Sequence, residues 1–189
     1  MIERDITPTL LKAASDYPVV TLTGPRQSGK TTLVKHIFSK YSYANLEHPE
    51  IRALATDDPR TFFELYPPPL IIDEVQRLPE LLSWIQVRVD EESTPGQYIL
   101  TGSHQLKLHE AVTQSLAGRT SLLRLLPFSC QELRSEGAPE SPATLLHTGF
   151  LPRIFDKGLD PTDAYRNYYH TYVERDVRQL IQIKNLTLF

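Results

Sequence analysis

Cysteine is almost missing: Cys130 stands alone in 189 residues, so no internal disulfide can form. A chain of this length buries roughly 70% of its unfolded surface and needs no covalent staple. A lone thiol fits a reducing compartment, and the opening Met1-Ile2-Glu3-Arg4-Asp5 is unlike a secretory leader. A cytoplasmic protein is therefore expected. Long apolar runs are missing too. No stretch approaches the ~18 residues that cross a bilayer, so no membrane role is expected. Neither sign of charge dominates. Residues 1–100 hold 10 basic and 14 acidic side chains, and residues 101–189 hold 10 and 9. Without a basic block, direct nucleic-acid binding by this stretch has no electrostatic support. The histidines at 36, 48, 104, 109, 147 and 170 lack metal-ligand spacing, and Cys130 has no ligand set near it. They read as structural or solvated. Glycine is scarce as well, with 8 residues, about 4% where ~7% is usual.

What is present is an alternation of short strands and helices. Thr7-Pro8 opens a capped helix that Pro18 ends, and Val19 to Thr23 is a β-branched strand. A helix is expected from Thr31 to about Lys40 and a second strand over Tyr43 to Glu47. Helical pieces follow from Pro49 to Leu65, broken at Pro59. The triplet Pro67-Pro68-Pro69 forces an extended lead-in to the strand Leu70-Ile71-Ile72-Asp73. Pro79 to about Val89 reads as a helix, Gln97 to Thr101 as a strand closed by Gly102-Ser103, His104 to Leu116 as a helix, and Ser121 to Leu126 as a last strand. This order predicts an α/β fold with a parallel sheet covered on both faces. Residues 1–126 are the expected core and 127–160 a small helical lid. From Asp160, Tyr165, Tyr168, Tyr169, Tyr172, Val173, Val177, Leu180 and Ile181 form an apolar stripe on one helix within 161–189. That stripe and Trp84 read as packing surfaces rather than as base-stacking platforms.

Two of the scarce glycines punctuate one loop. Gly24-Pro25-Arg26-Gln27-Ser28-Gly29-Lys30-Thr31-Thr32 fits the phosphate-loop pattern of Gly, four residues, Gly, Lys and a hydroxyl residue. From this composition the pattern would arise by chance about 0.002 times. It also lies between a strand and a helix. The glycines let backbone N–H groups and the helix N-terminus face phosphate oxygens. Lys30 can reach the β- and γ-phosphates, and Thr31 can ligate Mg²⁺.

Asp73-Glu74 ends a buried strand, the position beside which open parallel sheets bind ligands. Asp73 is the candidate Mg²⁺ residue and Glu74 the candidate base that polarises an attacking water. Thr101-Gly102-Ser103 ends the next strand. Ser103 is the candidate sensor of the γ-phosphate or the water, with Thr101 as the alternative, beside the plainer reading of a hydroxyl-rich turn. Arg119 is either an arginine supplied to the γ-phosphate or a surface arginine at a helix end, and Arg26 within the loop is similarly open.

Together, Gly24 to Thr32, Asp73-Glu74-Val75-Gln76, Leu100 to Ser103, Ser115 to Arg119 and Leu125 to Ser129 resemble the AAA-type ATPases of bacteria and archaea that carry a C-terminal domain of unknown function. The resemblance runs over essentially the whole chain. It implies a five-stranded P-loop sheet with the loop-bearing strand between neighbours, and Lys30, Thr31, Asp73 and Glu74 as the ATP and Mg²⁺ residues. It favours functional roles for Ser103 and Arg119. It also makes Pro152, in Gly149-Phe150-Leu151-Pro152-Arg153, a candidate contact for the adenine. Members of that family continue past Thr171 to Val177, so residues 161–189 are expected to lead to a domain missing here.

Two functions follow as expectations. One is an ATPase switch that hydrolyses ATP with Mg²⁺. The other is a non-catalytic, nucleotide-dependent assembly module whose output domain lies elsewhere. Self-association through the last helix is the expected protein contact, and nucleic acid would be met only through the missing domain.

Overall fold

Five strands form in chain order: β1 (Val19–Gly24), β2 (Ser42–Asn45), β3 (Leu70–Asp73), β4 (Tyr98–Ser103) and β5 (Thr120–Arg124). The computed structural model describes residues 2–103, 112, 114–135, 137 and 141–173. The strands make one sheet in the order β2-β3-β4-β1-β5, with every pairing parallel. The loop-bearing strand β1 thus lies between β4 and β5. β1, β3 and β4 are buried along their whole lengths, as strands covered on both faces must be.

Alternation along the strands sorts the core into two layers. Val19, Leu70, Ile72, Tyr98 and Leu100 face one layer, which Phe62, Phe63, Leu82 and Ile85 complete. Val20, Leu22, Ile71 and Ile99 face the other, with Leu10, Leu33 and Val34. The helices that supply them are α1 (Thr7–Asp16), α2 (Lys30–Ile37), α3 (Pro49–Asp57), α4 (Pro59–Leu65) and α5 (Leu81–Glu91). A 3₁₀ turn, Val75–Arg77, separates β3 from α5, so that helix starts later than Pro79. Gly102 and Ser103 belong to β4 rather than closing it, because they pair with Thr23 and Gly24 of β1. α1 has no side-chain cap; Ile6 stands at its N-cap position.

The chain divides into two compact units, Glu3–Leu126 and the residues from Pro127 onward with Met1–Ile2. The second is helical among its described residues: α6 (Cys130–Ser135), α7 (Pro142–Thr148), α8 (Pro152–Lys157) and α9 (Pro161–Tyr168). A capping box opens α6, with Ser129 Oγ accepting from the Glu132 amide at 3.0 Å and Glu132 Oε2 from the Ser129 amide at 2.7 Å. After Tyr168 the backbone widens into a π turn, Tyr169–Val173, on which the Tyr168 and Tyr172 rings lie 4.9 Å apart. The expected regular stripe is therefore interrupted there. Val177, Leu180 and Ile181, and the stretch 104–111 of the expected helix, lie outside the described residues.

Candidate functional site

β1 delivers the glycine loop at the carboxyl edge of the sheet. Gly24 leaves the strand at φ +153°, where an added Cβ would stand 2.0 Å from the Leu125 carbonyl oxygen. Gly29 is left-handed (φ 91°) and hands the chain to α2, whose first residue is Lys30. Gln27 also takes a positive φ of 60°. Arg4, buried ahead of α1, bolts the loop from behind. Its Nη1 donates to the Ser28 carbonyl at 2.9 Å and its Nη2 to the Leu126 carbonyl at 2.7 Å.

Lys30 is buried, and its Nζ donates to the carbonyls of Gly24 (3.0 Å) and Pro25 (2.9 Å). Burial holds its pKa below the usual lysine value; the charges of Glu74 and Asp73 pull the other way, and Arg26 adds to the depression. A buried ammonium facing a glycine-lined turn is a receptor for an anion. Inside the same loop, the Ser28 hydroxyl is buried without a hydrogen-bond partner among the described residues.

Three hydroxyls from three elements converge on Asp73, which is 3% exposed. Thr31 Oγ1 of α2 and the Tyr43 hydroxyl of β2 each donate to Oδ2 at 2.9 Å, and Thr101 Oγ1 of β4 donates to Oδ1. Thr31 and Asp73, taken from distant parts of the chain, thus touch. Both offer hard oxygen donors. Mg²⁺ takes one or two protein oxygens and fills its remaining positions with water and phosphate, so this pair fits it. Among the described residues no group of three or more His, Cys, Asp or Glu could hold a metal by itself. Next along the chain, Glu74 is left-handed (φ 57°), and its Oε2 accepts from the Gln76 side-chain amide.

Ser103 lies beside the loop. It pairs in register with Gly24, is 1% exposed, and its hydroxyl has no hydrogen-bond partner among the described residues. Thr101 is occupied by Asp73 instead. Pro152 opens α8, a position that suits proline's fixed φ and missing N–H. Thr32 is exposed on α2, and Arg26 is half-buried.

Arg119 lies away from the loop. It precedes β5, and its carbonyl accepts from the Val19 amide at 3.3 Å. That is the amino edge of the sheet, and roughly 17 Å of β1 separates it from Gly24. Its guanidinium is engaged by Asp90 in a two-pronged pair at 2.5 and 2.8 Å. Arg119 therefore does not reach the loop of its own chain. The reason is topological: parallel strands put every helix-to-strand junction at the edge opposite the strand-to-helix loops. Arg4 and Tyr43 belong to none of the sequence motifs, and Gln76, within Asp73-Glu74-Val75-Gln76, has no role that the sequence assigns. Only Tyr43 left a signal, two residues before the end of a strand beside Asp73 and so on the same face.

Comparison with known proteins gives three findings. Residues 16–134 match a family described as "AAA domain". An uncharacterized protein of Mycobacterium tuberculosis is 33% identical over 180 residues, covering 94% of this chain and 40% of that protein. The chain thus spans about two-fifths of that relative's length. Among solved structures, the Walker-type ATPase of Pyrococcus abyssi superposes with a TM-score of 0.62 at 15% identity, over 96% of this chain and 76% of that one. AMPPCP-bound DnaA from Aquifex aeolicus gives 0.52 at 14% identity, over 94% and 66%. Both share the fold.

Proposed function

The chain belongs to the AAA domain family of P-loop ATPases, and from that premise we propose that it binds ATP with Mg²⁺ and hydrolyses it. The observation that carries the reading is the 2.9 Å hydrogen bond between Thr31 and Asp73 at the foot of the glycine loop. It joins the two halves of a nucleotide site across 42 residues of sequence.

The loop amides from Gly24 to Gly29 and the start of α2 take phosphate oxygens. Lys30 exchanges its two loop carbonyls for the β- and γ-phosphates, whose negative charge offsets the burial that lowers its pKa. Thr31 and Asp73 would hold the cation, which would supply positive charge to offset that of the phosphate oxygens. Glu74 takes a proton from the attacking water once its carboxylate turns from Gln76. Ser103 offers a buried hydroxyl to the γ-phosphate or the water.

Glu74→Gln tests the catalytic half. Single-turnover phosphate release should fall by about 10²–10⁴-fold while ATP affinity is kept. Equal rates in the variant and the wild type would remove Glu74 from the mechanism.

The place of Arg119 favours a second reading, in which the single chain is a nucleotide-dependent switch. Arg119 does not reach the γ-phosphate from that position within one chain, so in this role it would have to serve a neighbouring subunit. A release rate that rises with protein concentration supports hydrolysis completed in trans. Absence of turnover at every concentration supports the switch.

A further inference from the structure

Tyr43 carries a hydroxyl that packing does not explain. Its ring lies against the layer formed by Leu22, Val34 and Ile71, where phenylalanine would fill the same space. A phenol placed there loses water and must recover a partner. The partner is Asp73 Oδ2, 2.9 Å away, the same oxygen that Thr31 engages. The register explains the reach. Asn45 of β2 pairs with Asp73 of β3, so Tyr43, two residues earlier, shares the face of Asp73 and meets it diagonally. The ring is itself clamped. Lys35 Nζ sits 3.7 Å from its centroid, and Lys35 is one helical turn after Thr31 on the same side of α2. One face of α2 therefore grips the tyrosine and its carboxylate partner together: Thr31 on the acid, Lys35 on the ring.

We infer that Tyr43 is a positioning residue that holds the Asp73 carboxylate in the orientation the cation requires. The inference rests on the reading of this loop as a Mg²⁺–ATP site. With the Tyr43 hydroxyl on Oδ2 and the Thr101 hydroxyl on Oδ1, the carboxylate plane is fixed from both sides. Thr31 is then free to turn its oxygen lone pairs to a cation without releasing the acid.

Tyr43→Phe keeps the ring and removes only the hydroxyl. The readout is the affinity for a non-hydrolysable ATP analogue across a Mg²⁺ titration, repeated in EDTA. The Mg²⁺ needed for half-maximal tightening should rise about tenfold, the loss expected of one hydrogen bond to a charged group. The affinity in EDTA should stay level, and Mn²⁺ should restore binding at lower concentration than Mg²⁺. Lys35→Met, which loosens the ring but leaves the hydroxyl, should shift the same requirement about two- to threefold. An unchanged Mg²⁺ requirement in both variants overturns the inference, as does a parallel loss in EDTA, which would mark a general effect on the loop. A wild-type chain whose nucleotide affinity ignores Mg²⁺ overturns the site reading itself, and the inference with it.

Discussion

Gly24 has no room for a side chain. A Cβ there would meet the Leu125 carbonyl oxygen at 2.0 Å, on the residue just after β5 whose amide donates to the Thr23 carbonyl at 2.8 Å, and its φ of +153° is strained for any other residue. Gly24→Ala should therefore destabilise the fold by well over ~1 kcal/mol. The shift would appear in the urea midpoint, and nucleotide binding should weaken with it; a variant as stable as the wild type would show that the loop relaxes freely. The residues proposed to contact phosphate or metal are legible because chemistry dictates their types and spacing: Gly24, Gly29, Lys30 and Thr31 in one loop, Asp73 and Glu74 at a strand end. Those that hold them were not. Arg4 reaches Ser28 across 24 residues and Leu126 across 122, and Tyr43 reaches Asp73 across 30. Contacts of such separation leave no periodic trace in a single sequence.

Among the elements, proline explains much of what could be read. Pro49, Pro59, Pro142, Pro152 and Pro161 each open a helix, where the missing N–H has no intrahelical partner to lose. These five of the chain's 15 prolines are thus helix starts. At α4 the start is reinforced by Asp58, whose Oδ1 accepts from the Thr61 amide at 3.1 Å and whose Oδ2 accepts from the Thr61 hydroxyl at 2.6 Å. Those bonds, led by the hydroxyl, hold the Asp58 pKa below the usual aspartate value. The folded-state pKa is depressed, so the stabilisation is present above the ordinary carboxylate pKa. It is lost as pH falls through the lowered one. Asp58→Ala should speed hydrogen exchange in the first turn of α4 at neutral pH, and the difference from wild type should shrink in acid. A variant with unchanged exchange would reduce the cap to a surface contact. The strand cores were legible from their apolar, β-branched runs. The π turn at Tyr169–Val173 was not, because its residues keep helical spacing in the sequence while the backbone widens.

At the scale of the molecule, sheet topology decides what one chain can do. The order β2-β3-β4-β1-β5 collects Gly24, Thr31, Asp73 and Ser103 at one edge and leaves Arg119 at the other, paired with Asp90. In a trans mechanism the Asp90 pair must open before the arginine can serve a neighbour's γ-phosphate. Arg119→Ala should then cut turnover by up to about 10³-fold while each chain binds ATP as before, and it should abolish any rise of rate with protein concentration. If turnover is untouched, Arg119 is an edge residue tied to α5 and no more. The edge on which the arginine lies follows from the sequence once the sheet is read as parallel, because a helix-to-strand junction then falls opposite the phosphate loop; its pairing with Asp90, 29 residues away, does not.

The central claim is that the loop from Gly24 to Thr31 holds the triphosphate of ATP through Lys30. Calorimetric titration of the wild-type chain and of Lys30→Ala with Mg²⁺–ATP tests it most directly. The wild type should bind one nucleotide per chain and take up protons in alkaline buffer, because the phosphates restore a lysine pKa that burial had lowered. Lys30→Ala should lose at least about tenfold in affinity and the proton uptake with it. Equal affinity in the two proteins, or binding by neither, would contradict the account.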